Sequence, residues 1–280
     1  MKKILVPIDF SKNSRHALDF AIEFNELIKG EIVLIHVLDL PITQHGYIGL
    51  ATQANLEVYY GKKIINKTQD QLAGWAQTVS STGQMVSTIL KYGNPYEGIS
   101  KSISAEDADW IVMGSKGASG LKDIFIGSNT ERVVRFAKSP VIVIKGETHV
   151  DEIRSIVLAT DGTESGEKLI AKVKQIQQAL NLKIHLLKVR TFSHESEEKD
   201  QDMLHEFARH FQLKNYTLNS IEAPYPDEGI VKFAEQIHSG LIAIGTHGHT
   251  GFMHLFGGSW AEDVVNESGI PVMSVQIGQV

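Results

Sequence analysis

The chain has 280 residues, 42% of them hydrophobic and 21% charged, which suits about two ordinary domains, each with its own core. A formal net charge of -6 lacks the basic footprint of a nucleic-acid binder, and with no cysteine there can be no disulfide, thiol catalysis or cysteine-ligated metal. No run approaches the ~18 apolar residues of a membrane span, so neither nucleic acid nor membrane is expected as a partner.

Met1–Asp9 begins like a signal peptide, but Pro7 breaks its apolar run and Asp9 ends it, well short of a signal core; a cytoplasmic protein is expected. Short β-branched runs then alternate with helical patterns. Strands are predicted at Lys3–Ile8, Glu31–Val37, Ser87–Tyr92, Trp110–Met113 and Val141–Ile144, and runs apolar throughout, such as Ile32–Ile35, indicate strands covered on both faces. Between the first two, Ala17, Leu18, Ala21, Phe24 and Ile28 keep helical spacing, with Gly30 as the closing residue. Pro7 marks the end of its strand, because proline is poorly tolerated inside a central one.

The order then repeats at Ile156–Thr160, Lys183–Val189, Tyr216–Glu222, Leu241–Ile244 and Val272–Val275, with a helical stripe of Leu169, Val173, Ile176 and Leu180. Asp9 and Asp161 are 152 apart, as are Val37 and Val189; Gly114 and Gly245 are 131 apart, as are Gly127 and Gly258. The halves therefore align at both ends, and 152 less 131 leaves 21 extra residues in the first, within Asp39–Thr82, where a loop and a helix from about Gln53 are predicted. Domains are expected at 1–147 and 153–280, a period too long for a solenoid.

After the fourth strand of each half stands the same pattern. Gly114-Ser115-Lys116-Gly117 is followed nine residues later by Gly127-Ser128, and Gly245-Thr246-His247-Gly248 by Gly258-Ser259. This is neither a Walker A loop nor the dinucleotide fingerprint. Glycine at a strand end admits ligand atoms to the backbone, and the last Gly-Ser opens a helix, predicted at Asn129–Ala137 and Trp260–Asn266, whose unpaired N–H groups suit a phosphate. Ligands of open α/β sheets also bind outside the carboxyl ends of the strands. A purely structural reading stands beside this one: Ser128-x-x-Glu131 and Ser259-x-x-Glu262 fit a capping box, and Gly114 and Gly245 fit plain turns.

With these motifs in place, both halves resemble universal stress proteins of the ATP-binding type. The resemblance rests on Val6–Ser11, Ile35-His36-Val37, Gly114–Val134 and Ser139–Ile144, then on Ala159–Gly162, Gly245–Val265 and Pro271-Val272. It implies an α/β fold of two tandem open parallel five-stranded sheets in Rossmann-like order 3-2-1-4-5, with helices on both faces. It also implies ATP or a related adenine nucleotide, with or without magnesium, at the carboxyl edge. Pro7 and Asp9 would lie against the nucleoside and Val37 would meet adenine through its backbone. Gly114, Lys116 and Gly117 would follow the ribose and first phosphate, and Gly127, Ser128 and Asn129 the phosphate tail. The second-half matches are Asp161, Val189, Gly245, Gly248, Gly258, Ser259 and Trp260. There Ala159 replaces the proline and the connection is shorter, which favours the first half. Related domains pair through their last strands, implying an internal pseudo-dimer through Val141–Ile144 and Val272–Val275; a homodimer of chains stays open.

Lys116 suits either a phosphate contact or solvent, and Asp9 and Asp161 either a helix cap or general-base and magnesium chemistry. His247, His249 and His254 invite a zinc reading, but their glycine-bearing loop offers no evident support for a site. The function expected is a nucleotide-binding regulatory module of the stress response. A slow ATPase or self-phosphorylating enzyme is one alternative, although no arginine finger or paired metal carboxylates are evident. A non-nucleotide scaffold is the other. No catalytic or metal-ligating residue is assigned.

Overall fold

Strands apolar on both faces are stable only between two helical layers, and the chain folds accordingly. The computed structural model describes residues 1–39, 51–115, 126–162, 166–191, 197–246 and 260–277. In the first half β1 (Lys3–Pro7), α1 (Lys12–Ile28), β2 (Glu31–Leu38), α2 (Ala51–Ser80), β3 (Met85–Tyr92), α3 (Pro95–Ala105), β4 (Trp110–Gly114), α4 (Ser128–Phe136) and β5 (Val141–Ile144) follow one another. The second half runs β6 (Ser155–Ala159), α5 (Glu167–Leu180), β7 (Lys183–Arg190), α6 (Glu197–His210), β8 (Tyr216–Glu222), α7 (Pro226–Gln236), β9 (Leu241–Thr246), α8 (Trp260–Glu267) and β10 (Val272–Gln276).

One ten-stranded sheet results, in the order β3-β2-β1-β4-β5-β10-β9-β6-β7-β8. Within each half the strands are parallel in the order 3-2-1-4-5, and the halves meet where β5 and β10 pair antiparallel, Met273 opposite Ile142. Pairing the two last strands removes two open edges from the sheet. The strands of one half thus point opposite to those of the other, and their carboxyl edges lie on opposite sides of the molecule.

The core spans both halves. Phe20, Phe24 and Trp110 are fully buried, with Phe24 edge-on to Trp110 at 5.1 Å; each such side chain contributes about 1.5–3 kcal/mol. From the other half Lys172 of α5 reaches across, its ammonium 4.5 Å from the Trp110 ring centroid and donating to the Asp109 carbonyl at 3.3 Å. Burial pulls the Lys172 pKa below the usual lysine value, against the opposing pull of Asp109.

One sequence expectation needs correction, the residue that closes α1. α1 is closed by Lys29, left-handed at φ 56, with its N–H on the Asn25 carbonyl at 2.8 Å; Gly30 follows it, and a Cβ there would strike the Lys2 carbonyl. The glycine is required by close chain packing, not by the cap. The extra length of the first half is largely helix: α2 has 30 residues against 14 in α6. Pro7 is the last residue of β1, opposite Ile35, and Ala159 ends β6 in the same place.

Candidate functional site

β1 pairs with β2 on one side and with β4 on the other, so strand order reverses between β1 and β4 and their carboxyl ends must diverge. The first-half residues predicted from sequence lie along that carboxyl edge: Pro7 ending β1 and Asp9 just after it, Val37 near the end of β2, Gly114 ending β4, and Gly127, Ser128 and Asn129 at the start of α4. Lys116 and Gly117 lie outside the described residues, as do Gly248, Gly258, Ser259 and the histidines at 247, 249 and 254.

α4 begins without a side-chain cap. Its N-cap is Gly127, extended at φ -66 and ψ 142, and among the described residues no side chain caps the first turn. The capping box read from Ser128 and Glu131 is therefore absent, because Ser128 is already helical; a serine one position too late cannot reach back to its own helix start. The amides of Ser128, Asn129 and Thr130 lack the partner that a serine cap provides. Their position is nevertheless fixed. Gly127 donates to the Ser115 carbonyl at 2.8 Å, and the buried Thr130 hydroxyl donates to the Gly114 carbonyl at 3.0 Å. From the second half, the Asn266 side chain of α8 accepts the Ile126 N–H at 2.9 Å. The helix start is thus pinned to the end of β4 and to the opposite half.

Gly114 has another reason to be glycine than the one expected. A Cβ there would lie 2.7 Å from the Asn13 carbonyl oxygen, so its bareness lets β4 abut the start of α1. Asp9 does not cap α1 either. Ser11 does, accepting the Ser14 N–H at 3.2 Å, while Asp9 accepts the Ser11 N–H at 3.0 Å and so shapes the turn. Val37 packs on α3, where a Cβ on Gly98 would come within 2.7 Å of it.

The second half retains part of this layout. Asp161 follows β6, its carbonyl bonded by Lys188 at 3.4 Å; Val189 packs on Gly229 of α7, where a Cβ would lie 2.6 Å away. Other features have changed. Ala261 stands where Thr130 stands in the first half, so the hydroxyl tether is lost, and the Thr246 hydroxyl is buried with no hydrogen-bond partner among the described residues. Trp260 replaces Asn129 and is 61% exposed. A Cβ on Gly245 would run into the Ile277 side chain, and one on Gly162 into Met203; this half covers its own glycines with apolar side chains.

Between α4 and α8 the buried Glu262 carboxylate lies 3.4 Å from Arg135. Burial raises its pKa above the usual carboxylate value, and Arg135 opposes that rise only in part. Among the described residues no group of three or more histidine, aspartate or glutamate side chains is placed to hold a metal ion, and no helix is long and apolar enough to cross a membrane.

Sequence reasoning missed Thr130, Ser11, Asn266 and the glycine facing each valine. Gly98 and Gly229 are 131 apart, so the subtraction that paired Gly114 with Gly245 would have found them. The hydroxyl tether and the contact across the halves leave no such trace.

Comparison with known proteins gives a consistent result. The family model described as "Universal stress protein family" matches residues 1–145 and again 152–276. A universal stress protein of Methanocaldococcus jannaschii is 32% identical over 153 residues, covering 51% of this chain and 94% of that protein. One from Synechocystis is 23% identical over 291 residues, covering 98% of this chain and 99% of the other. The crystal structure of an Archaeoglobus fulgidus universal stress protein superposes with a TM-score of 0.78 at 23% identity, over 99% of this chain and 98% of that one, a likeness of fold.

Proposed function

The chain belongs to the universal stress protein family, and from that premise we propose that its first half, residues 1–147, binds ATP or a related adenine nucleotide and signals by a change of conformation or assembly. The carrying observation is the uncapped start of α4, held by Thr130 against the end of β4 and beside the β1 turn that bears Asp9. Three amides fixed in place and, among the described residues, unserved by any side chain favour an anion, through direct hydrogen bonds and the positive end of the helix. The nucleoside would rest toward Asp9 and Val37, with any magnesium carried in on the phosphates.

The second half, residues 153–280, serves on this reading as a structural partner. Loss of the threonine tether and the apolar covering of Gly162 and Gly245 support one nucleotide per chain. On this reading the chain acts in the cytoplasm by binding rather than by rapid turnover.

The test is to extract purified protein with acid and identify released nucleotide, then to titrate ATP calorimetrically. The reading expects about one site per chain, with Asp9→Ala weakening binding. No binding tighter than about millimolar would refute it.

A further inference from the structure

The β1 turn contains a conformation that its sequence disfavours. Phe10 has φ 63, in the left-handed region, where bulky side chains are rare. The other non-glycine residues with positive φ among those described are polar: Lys29, Asp107, Asn181, Gln212, Asn215 and His238. At the matching place in the second half stands Gly162, with φ 87, so the turn itself demands this backbone and the first half meets the demand with phenylalanine. Residues in sparsely populated conformations persist only where their surroundings over-determine them.

Those surroundings are specific. The Phe10 ring lies 4.7 Å from the His36 ring and 5.6 Å, edge-on, from Trp75 of α2. His36 on β2 bonds the Ile8 carbonyl through Nδ1 at 2.8 Å, and the Arg15 guanidinium lies 5.8 Å from the Trp75 ring centroid. Ile8 and Phe10 flank Asp9, whose carboxylate shapes the turn through Ser11. The clamp thus joins the residue assigned to the nucleoside with the helix that is long only in the first half. In the second half Lys188 takes the place of His36 and bonds the Asp161 carbonyl, and glycine needs no clamp.

We propose that Phe10 is a positioning residue: gripped between His36 and Trp75, it makes the seating of Asp9 depend on the docking of α2. Seating and docking are then linked, so a ligand that holds Asp9 tightens α2 to the same extent that docked α2 tightens the ligand. This regulatory role of α2 rests on the nucleotide reading given above; the coupling between α2 and the turn does not.

The two are separated by amide hydrogen exchange on the full chain. Trp75→Ala is expected to speed exchange of the Ser11 amide at least tenfold while β1 and β2 stay protected, and Trp75→Phe to restore it. In a Phe10→Gly background, Trp75→Ala should have no further effect on Ser11, because glycine holds the turn unaided; a merely structural loss at Trp75 would persist there. With ATP, exchange in residues 64–80 should slow in the wild type and remain unchanged in Phe10→Gly, and Trp75→Ala should weaken ATP binding about tenfold. Unaltered Ser11 exchange in Trp75→Ala, or an equal effect of that substitution in both backgrounds, overturns the positioning role. If wild-type protein binds no ATP, the nucleotide reading falls, and the exchange comparison still decides the coupling.

Discussion

Replacing Thr130 by valine exchanges a hydroxyl for a methyl of nearly the same size, so the substitution removes one hydrogen bond and little packing. The lost bond is the buried 3.0 Å contact to the Gly114 carbonyl. A typical intramolecular hydrogen bond contributes about 1 kcal/mol net, and a buried group left without its partner costs about 1–3 kcal/mol. Thr130 is buried, with no solvent to replace the bond, so a loss of about 1–2 kcal/mol is expected. With a urea dependence of about 2 kcal/mol per molar, the middle of the usual range, the unfolding midpoint should fall by about 0.5–1 M. ATP affinity should drop several-fold as the amides of α4 lose their fixed distance from β4, and Thr130→Ser should recover most of both losses. A Thr130→Val protein with wild-type midpoint and wild-type affinity would refute the claim that this tether sets the site.

Other substitutions have equally direct outcomes. Gly114→Ala should destabilise by about 1–3 kcal/mol, the usual range for overpacking, because its Cβ would meet the Asn13 backbone, whereas Gly146→Ala, with nothing within 4 Å, should change the urea midpoint little. Asn266→Ala removes the acceptor for the Ile126 N–H and should weaken ATP binding from the other half, with Asn266→Asp retaining more of it. Glu262 has a raised pKa from burial, so the folded chain holds that proton longer than the unfolded one. Stability should therefore fall as pH rises from the ordinary carboxylate range through the raised value, and Glu262→Gln should flatten that fall in a pH series of urea melts. His149 runs parallel in sign: its hydrogen bond to Glu23 raises its pKa, giving stability that is full below the unfolded histidine value near 6.5 and lost as pH rises through the folded one. Glu23→Gln should return the NMR-titrated pKa of His149 toward that ordinary value.

Much of this architecture was legible in the sequence, because a β-branched run such as Ile32–Ile35 has few places to go except a sheet covered on both faces. The duplicated spacing gave the second half its order, and Pro7 ends its strand as the chemistry of proline requires. What could not be read is why particular residues occupy particular turns. Gly30 and Gly114 both look like backbone-freedom glycines, yet neither has a positive φ; each makes room for a chain segment distant in sequence, which no local pattern encodes. Ser128 matches a capping motif but begins one residue too late, an offset within the usual uncertainty of helix ends. Phe10 shows the opposite failure. Local preference disfavours its conformation, and the ring contacts that surround it come from β2 and α2, far away in sequence.

The central proposal is best tested by following backbone amide NMR signals during an ATP titration. The account expects saturable shifts at Ser128, Asn129 and Thr130 together with the Asp9 turn, while Ala261 in α8 stays still. Saturation elsewhere with those three amides silent, or an ATP response confined to the second half, would contradict it.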